Sequence, residues 1–178
     1  MTLKEFNILN NEAAKAEILK CCGSQKWASL MMEYFPFNSE EELESKASVI
    51  WFEECKEEDW LEAFQHHPKI GDLSPVPSGG DLGVGSEKFA STKEWAGAEQ
   101  AGVQKANEEV IQALAKGNKE YEDKFGFIFI VCATGKSAEE MLAMFNNRIA
   151  NTYEKELKVA MKEQHKITEI RLKKLIHD

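Results

Sequence analysis

The sequence offers almost nothing with which to build a disulfide or zinc framework. Cys21 and Cys22 are adjacent, Cys55 and Cys132 stand alone, and no Cys-x-x-Cys spacing occurs. An adjacent pair is a poor disulfide scaffold, and structural zinc sites need the missing spacing. A reducing compartment is expected. No apolar run is long enough to cross a membrane, which takes roughly 18 residues or more. The N-terminal stretch MTLKEFNILNNEAAKAE has no apolar signal core, and the final Ile-His-Asp is not the Ser-Lys-Leu peroxisomal address, so a cytoplasmic location is expected. Bases are outnumbered 22 to 31, for a formal net charge of -9. That balance argues against a nucleic-acid surface, which needs clustered Lys and Arg. It leaves room for a small anionic substrate, because a few buried bases can dominate a local site. A nucleophile elbow, a Walker loop and a zincin motif are all missing. No metal and no cofactor is expected.

What remains is 43% hydrophobic and 30% charged, the composition of a globular protein with a substantial core. One domain over residues 1–178 is expected, with no internal repeat. Apolar side chains recur at three- and four-residue spacing over 11–21 and 25–35, which predicts helices. Ser39 with Glu42 three later is a capping-box pattern for a helix over 39–54. A helix over 57–66 should bury Trp60, Leu61 and Phe64 and stop at Pro68, because a proline pushes the preceding residue out of helical conformation. The stretch LSPVPSGGDLGVGS (73–86) reads as a loop. Helical pattern resumes over about 87–122, where Gly97, Gly102 and Gly117 could break it. Ser137 with Glu140 predicts a capped helix over 138–150, and a last helix is expected over 153–176. GFIFIVCATG (126–135) has strand-like composition but no strand partner, and an isolated strand cannot satisfy its backbone groups. It reads as a buried extended segment in an otherwise all-α protein, a single-domain helical bundle.

Three groups of residues could carry chemistry, and each has an ordinary alternative. In QHHPKIGD (65–72), His66 and His67 are adjacent and point in different directions, so one can face a pocket while its neighbour does not. His67, directly before Pro68, falls at a helix end. The same residues could be no more than a turn. In WAGAEQAGV (95–103), Glu99 and Gln100 sit among small residues that would favour proton transfer if buried, or they form an exposed pair. In MLAMFNNRIANTYEKEL (141–157), Arg148 lies among Met144, Phe145 and Ile149, with Asn151 about one turn on. Its fork could bind a carboxylate, or its stem could pack while its head reaches water. In the last helix, Glu163, Lys166 and Arg171 stand among apolar positions, and most of them should be solvated or paired.

Taken together and in this order, HPKIGD, WAGAEQAGV, FGFIFIVCATG and NRIANTYEKELKVAMKEQHKITEIRL resemble the OHCU decarboxylase family over nearly the whole chain. The resemblance implies an all-α, cofactor-free enzyme, usually a homodimer, acting on a small ureidoimidazoline substrate with no nucleic-acid or membrane partner. It implies decarboxylation of 2-oxo-4-hydroxy-4-carboxy-5-ureidoimidazoline (OHCU) to (S)-allantoin. It places His67, Glu99 and Arg148 as catalytic residues. Pro68, Ala96, Gln100 and Asn151 would contact substrate, together with the segment Phe129, Ile130, Val131, Cys132 and Ala133. One position departs from the family pattern. A serine usually stands three residues before the glutamate, and here that position is Ala96, which has no hydroxyl.

Overall fold

A computed structural model of the chain describes residues 1–69 and 108–177. Among the described residues every regular element is helical. The first is α1 (Leu3–Asn7), opened by a capping box in which Thr2 accepts from the Glu5 backbone and Glu5 reaches back to Thr2. Asn10 caps α2 (Asn11–Cys22), which stops at Gly23, held at φ 93° where a side chain would be strained. Ser24 caps α3 (Gln25–Met31), and a short 3-10 turn follows over Met32–Tyr34. Ser39 caps α4 (Glu40–Val49), but only half of the predicted box forms: Glu42 accepts from the Asn38 backbone at 2.7 Å instead of from Ser39. The helix expected through residue 54 widens at Ile50–Glu54 into a π turn, closed by Cys55 N–H donating to the Ile50 carbonyl. After α5 (Glu57–Gln65) come α6 (Glu108–Phe125), α7 (Ala138–Arg148) and α8 (Tyr153–Leu175).

The chain forms two compact units, Met1–Phe64 with Met161–Asp178, and Gln65–Ala160. The first is built around Phe6, Ile18, Trp27, Met31 and Trp51, all 1% exposed or less. Its buried donors find main-chain acceptors. The Trp27 indole gives to the Ala47 carbonyl (3.0 Å), that of Trp51 to Met161 (2.9 Å), and the Gln164 amide to Cys22 (3.2 Å). Burial pushes the Cys22 and Cys55 thiols up to about 12, so neither is a reactive thiolate at neutral pH. On α5, Phe64 is buried as expected, whereas Trp60 and Leu61 are only half-buried. The Trp60 indole still finds the Trp51 carbonyl at 3.1 Å.

The second unit centres on Tyr121. The rings of Phe125, Phe127, Phe129 and Phe145 lie 4.6, 6.0, 5.3 and 5.7 Å from it. Gly117 does not break α6. It is where Phe145 comes in, so close that a Cβ on Gly117 would sit 2.7 Å from the ring. Gly97 and Gly102 lie outside the described residues. Residues 127–133 are helix-free and unladdered, and all but Ile128 are buried. Side chains and a turn replace the missing ladder. Arg148 Nη1 donates to the Ile130 carbonyl at 2.8 Å and Lys136 Nζ to that of Cys132 at 2.5 Å, while the Lys136 backbone N–H donates to Ala133 at 3.0 Å. Both arms of the Ser137–Glu140 capping box form, and α7 starts where predicted.

Candidate functional site

The site begins where α5 ends, at Gln65, two residues ahead of His67. His66, His67 and Pro68 are all half-buried, so exposure alone does not separate the two histidines. The next residue, Lys69, pairs with Glu122 of α6 at 2.5 Å, with both side chains about two-fifths exposed (41% and 42%). An ion pair so open to water contributes roughly 0–1 kcal/mol. It tethers the histidine turn to the helix that carries Tyr121.

The other expected residues of this unit converge on one carboxylate. Glu156, in the first turn of α8, is fully buried. Its Oε1 accepts from Arg148 Nε at 2.8 Å, from Arg148 Nη2 at 2.5 Å and from the Tyr121 hydroxyl. Its Oε2 accepts from Asn151 Nδ2 at 2.6 Å. Arg148 Nη2 also reaches the Tyr121 oxygen at 3.2 Å, and the guanidinium lies 4.5 Å over the Phe129 ring. Burial, against the pull of Arg148, raises the Tyr121 phenol well above its ordinary value, so it stays protonated and donates.

Arg148 therefore does not snorkel. It is 7% exposed, and its fork takes a carboxylate, that of Glu156. Among the described residues, four of its five N–H groups have acceptors: Nε, one on Nη1 and two on Nη2. Asn151 does meet it, but not along one helix face, as expected for a helix to 150. α7 ends at Arg148, and Asn151 sits in the turn that follows, its backbone N–H on the Arg148 carbonyl at 2.9 Å. The expected wall Phe129, Ile130, Val131, Cys132 and Ala133 is buried to 6% exposure or less, with its Ile130 carbonyl held by Arg148. Glu99, Gln100 and Ala96 lie outside the described residues.

Two members of this cluster were not anticipated, Tyr121 and Glu156. An acid in a helix's first turn ordinarily faces water and favours the dipole. The available signal was register: Glu156 precedes Ala160 and Gln164 at four-residue spacing, on the apolar stripe of α8. Of the polar residues expected to be solvated or paired there, Glu163 is buried and pairs with exposed Lys166 at 2.5 Å, and Arg171 is fully buried. Among the described residues, no three His, Cys, Asp or Glu side chains gather as a metal site, and no helix is long and apolar enough to cross a membrane.

The sequence model of the OHCU decarboxylase family matches residues 7–173. The uric acid degradation bifunctional protein TTL of Arabidopsis thaliana is 39% identical over 168 residues, covering 94% of this chain but 48% of that protein. The 2-oxo-4-hydroxy-4-carboxy-5-ureidoimidazoline decarboxylase of Haloferax volcanii is 26% identical over 97% of this chain and 94% of its own length. This chain thus spans about half of the plant protein and nearly all of the archaeal one. A crystal structure of OHCU decarboxylase in the presence of (S)-allantoin superposes with a TM-score of 0.74 at 36% identity, covering 92% of this chain and 99% of that one.

Proposed function

The chain belongs to the OHCU decarboxylase family, and from that premise we propose that it decarboxylates OHCU to (S)-allantoin, the last step from urate. The observation that carries this reading is the family match over residues 7–173. A 36% identical relative, whose structure was determined with (S)-allantoin present, supports the product assignment.

The reaction needs no external electron sink. The carboxylated ring carbon also bears the hydroxyl, and its neighbour is doubly bonded to a ring nitrogen. When the bond to the carboxylate breaks, its electron pair forms a carbon–carbon double bond. The C=N pair moves onto nitrogen, which takes a proton, and carbon dioxide leaves. The enol that results loses its hydroxyl proton to become the ring carbonyl, while the adjacent carbon gains a proton on one face. An enzyme need only orient the carboxylate, stabilise developing charge and direct that proton.

In this reading His67 is the acid/base at the substrate hydroxyl, with Pro68 beside it, and Glu99 orients or shares that proton. Gln100 holds the ureido or ring amide groups. Ala96 lines the pocket without the family's hydroxyl. Segment 129–133 forms a wall, Asn151 contacts the substrate, and Arg148 binds an anionic or carbonyl oxygen through its remaining Nη1 proton. The protein works without metal or cofactor, in the cytoplasm, as a homodimer. The test is a coupled assay in which urate oxidase and hydroxyisourate hydrolase generate OHCU, followed by circular dichroism of allantoin. The (S) product should accumulate faster than spontaneous decay allows, with activity unchanged by exhaustive chelation. Racemic allantoin at the uncatalysed rate would overturn the proposal.

A further inference from the structure

The wall segment has no ladder to hold it, and what holds its Ile130 carbonyl leads back to one buried acid. Arg148 grips the Ile130 carbonyl with Nη1 and lies over the Phe129 ring, so its orientation sets the placement of two consecutive wall residues. That orientation is fixed from the opposite side by Glu156, whose Oε1 takes both Nε and Nη2. Held by Oε1 on one edge, and by the Ile130 carbonyl and the Tyr121 oxygen on the others, the planar guanidinium is fixed in orientation. The same carboxylate ties down Asn151, and Tyr121 closes the ring by donating to Oε1 while accepting from Nη2. Stabilising the fold does not require this arrangement: a buried ion pair is often no better for stability than apolar packing of the same volume. What it supplies that apolar packing cannot is direction at the Ile130 carbonyl.

We infer that Glu156 is a positioning residue, which acts through Arg148 to fix segment 129–133 as the substrate-binding wall and sets Asn151 beside it. This inference rests on the reading of 129–133 as part of the OHCU site. Glu156 itself touches no substrate. Its removal should therefore weaken binding more than it slows chemistry.

The test uses Glu156→Gln and Tyr121→Phe in the full chain, at a temperature where circular dichroism shows each fully folded. Glu156→Gln keeps size and one acceptor but puts a donor where Oε1 or Oε2 must accept. KM for OHCU should rise roughly 10- to 100-fold, as for a site displaced by a fraction of an ångström, with kcat within a few-fold of wild type. Tyr121→Phe removes one hydrogen bond and should raise KM roughly 2- to 10-fold. Calorimetric titration with (S)-allantoin should show the same ranking in Kd, independently of turnover. Unchanged KM and Kd in the folded variants would overturn the inference, leaving Glu156 a stability element only. A fall in kcat at constant KM would overturn it too, by placing Glu156 in the chemistry. If Glu156→Gln fails to fold, Tyr121→Phe decides. A wild-type protein that binds (S)-allantoin with the predicted ranking but does not turn over OHCU would instead defeat the proposed reaction and leave the positioning role standing.

Discussion

In the first unit, the buried indoles of Trp27 and Trp51 and the Gln164 amide are answered by main-chain carbonyls, and the buried charged side chains Glu163 and Arg171 lie on the long helix α8. In the second, the interior holds an ion pair with a phenol and an amide around it, Arg148 and Glu156 with Tyr121 and Asn151. The difference follows the backbone. The first unit is nearly all helix, whose carbonyls are already bonded and ask for little more. The second must bury 127–133, a stretch with no helix and no ladder. Its orphan carbonyls each cost free energy unless a donor arrives, and a cation is the strongest donor available. A buried cation then requires a buried anion. In this unit the irregular backbone is thus what the buried ion pair serves, and an irregular segment held by side chains is where a site can be built.

The largest expected effect tests whether that second unit carries the chemistry. His67→Asn keeps a polar, planar side chain but removes the titratable proton, and kcat should fall roughly 10²- to 10⁴-fold. His66→Asn, one residue away and equally half-buried, should stay within a small factor of wild type. Both must keep native circular dichroism and melting behaviour. If His66→Asn is the inactive variant, or both are active, the histidine assignment is wrong.

Next comes stability. Arg148→Met leaves the Glu156 side chain fully buried and without its main partner, and should cost about 3–5 kcal/mol. Trp27→Phe, in the first unit, deprives the Ala47 carbonyl of one neutral donor and a little volume, for roughly 1–2 kcal/mol. Urea unfolding of each variant gives the contrast directly. Equal losses would mean that the two interiors are held in the same way. The double variant Arg148→Met with Glu156→Leu should recover the part of the loss that comes from the unpaired acid, while the Ile130 carbonyl still lacks its donor.

Which parts of this were legible in the sequence follows the same division. Caps are local chemistry, so Ser137 with Glu140 located the start of α7 to the residue. Ser39 with Glu42 located α4, although Glu42 prefers Asn38. Segment 127–133 was legible as buried and unpaired because its composition is strand-like while the sequence offers no convincing strand partner for it. The donors that hold it were not, since Arg148 approaches from 18 residues away. Tyr121 and Glu156 are 35 residues apart, and nothing in either local sequence announces the other. The residue types for the site came from motif resemblance, and the described residues bring together Arg148, Asn151 and the 129–133 wall.

Gly117 offers a smaller perturbation of the second unit alone. In an exposed helix, Gly→Ala gains about 1 kcal/mol of propensity. Here the new methyl would meet the Phe145 ring at 2.7 Å, and that ring cannot swing aside because Tyr121 and Phe129 flank it at 5.7 and 5.3 Å. Overpacking should win, with a net loss of roughly 1–3 kcal/mol and a lower melting temperature. A Gly117→Ala protein more stable than wild type would show that the aromatic cluster is loosely packed.

The smallest effect concerns the one histidine buried in the first unit. His165 is 7% exposed, edge-on to Phe52 at 4.7 Å, with Nε2 3.5 Å from the Glu169 carboxylate. Burial holds its pKa below the ordinary 6.5, and the opposing pull of Glu169 is the lesser effect. Because the folded value is depressed, the unfolded chain takes up the proton first. The neutral imidazole's contribution is therefore fully present above about pH 6.5 and is lost as pH falls through that value toward the folded one. His165→Leu removes the titration while keeping the side chain apolar. The difference between wild-type and variant unfolding free energies, measured in urea from pH 8 to pH 5, should be level at the alkaline end and turn against wild type below about 6.5. Subtraction cancels His66, His67 and His177, which both proteins share. A difference that stays level throughout, or turns in favour of wild type on acidification, would mean that Glu169, 43% exposed as it is, outweighs burial and that the imidazole is charged in the folded protein.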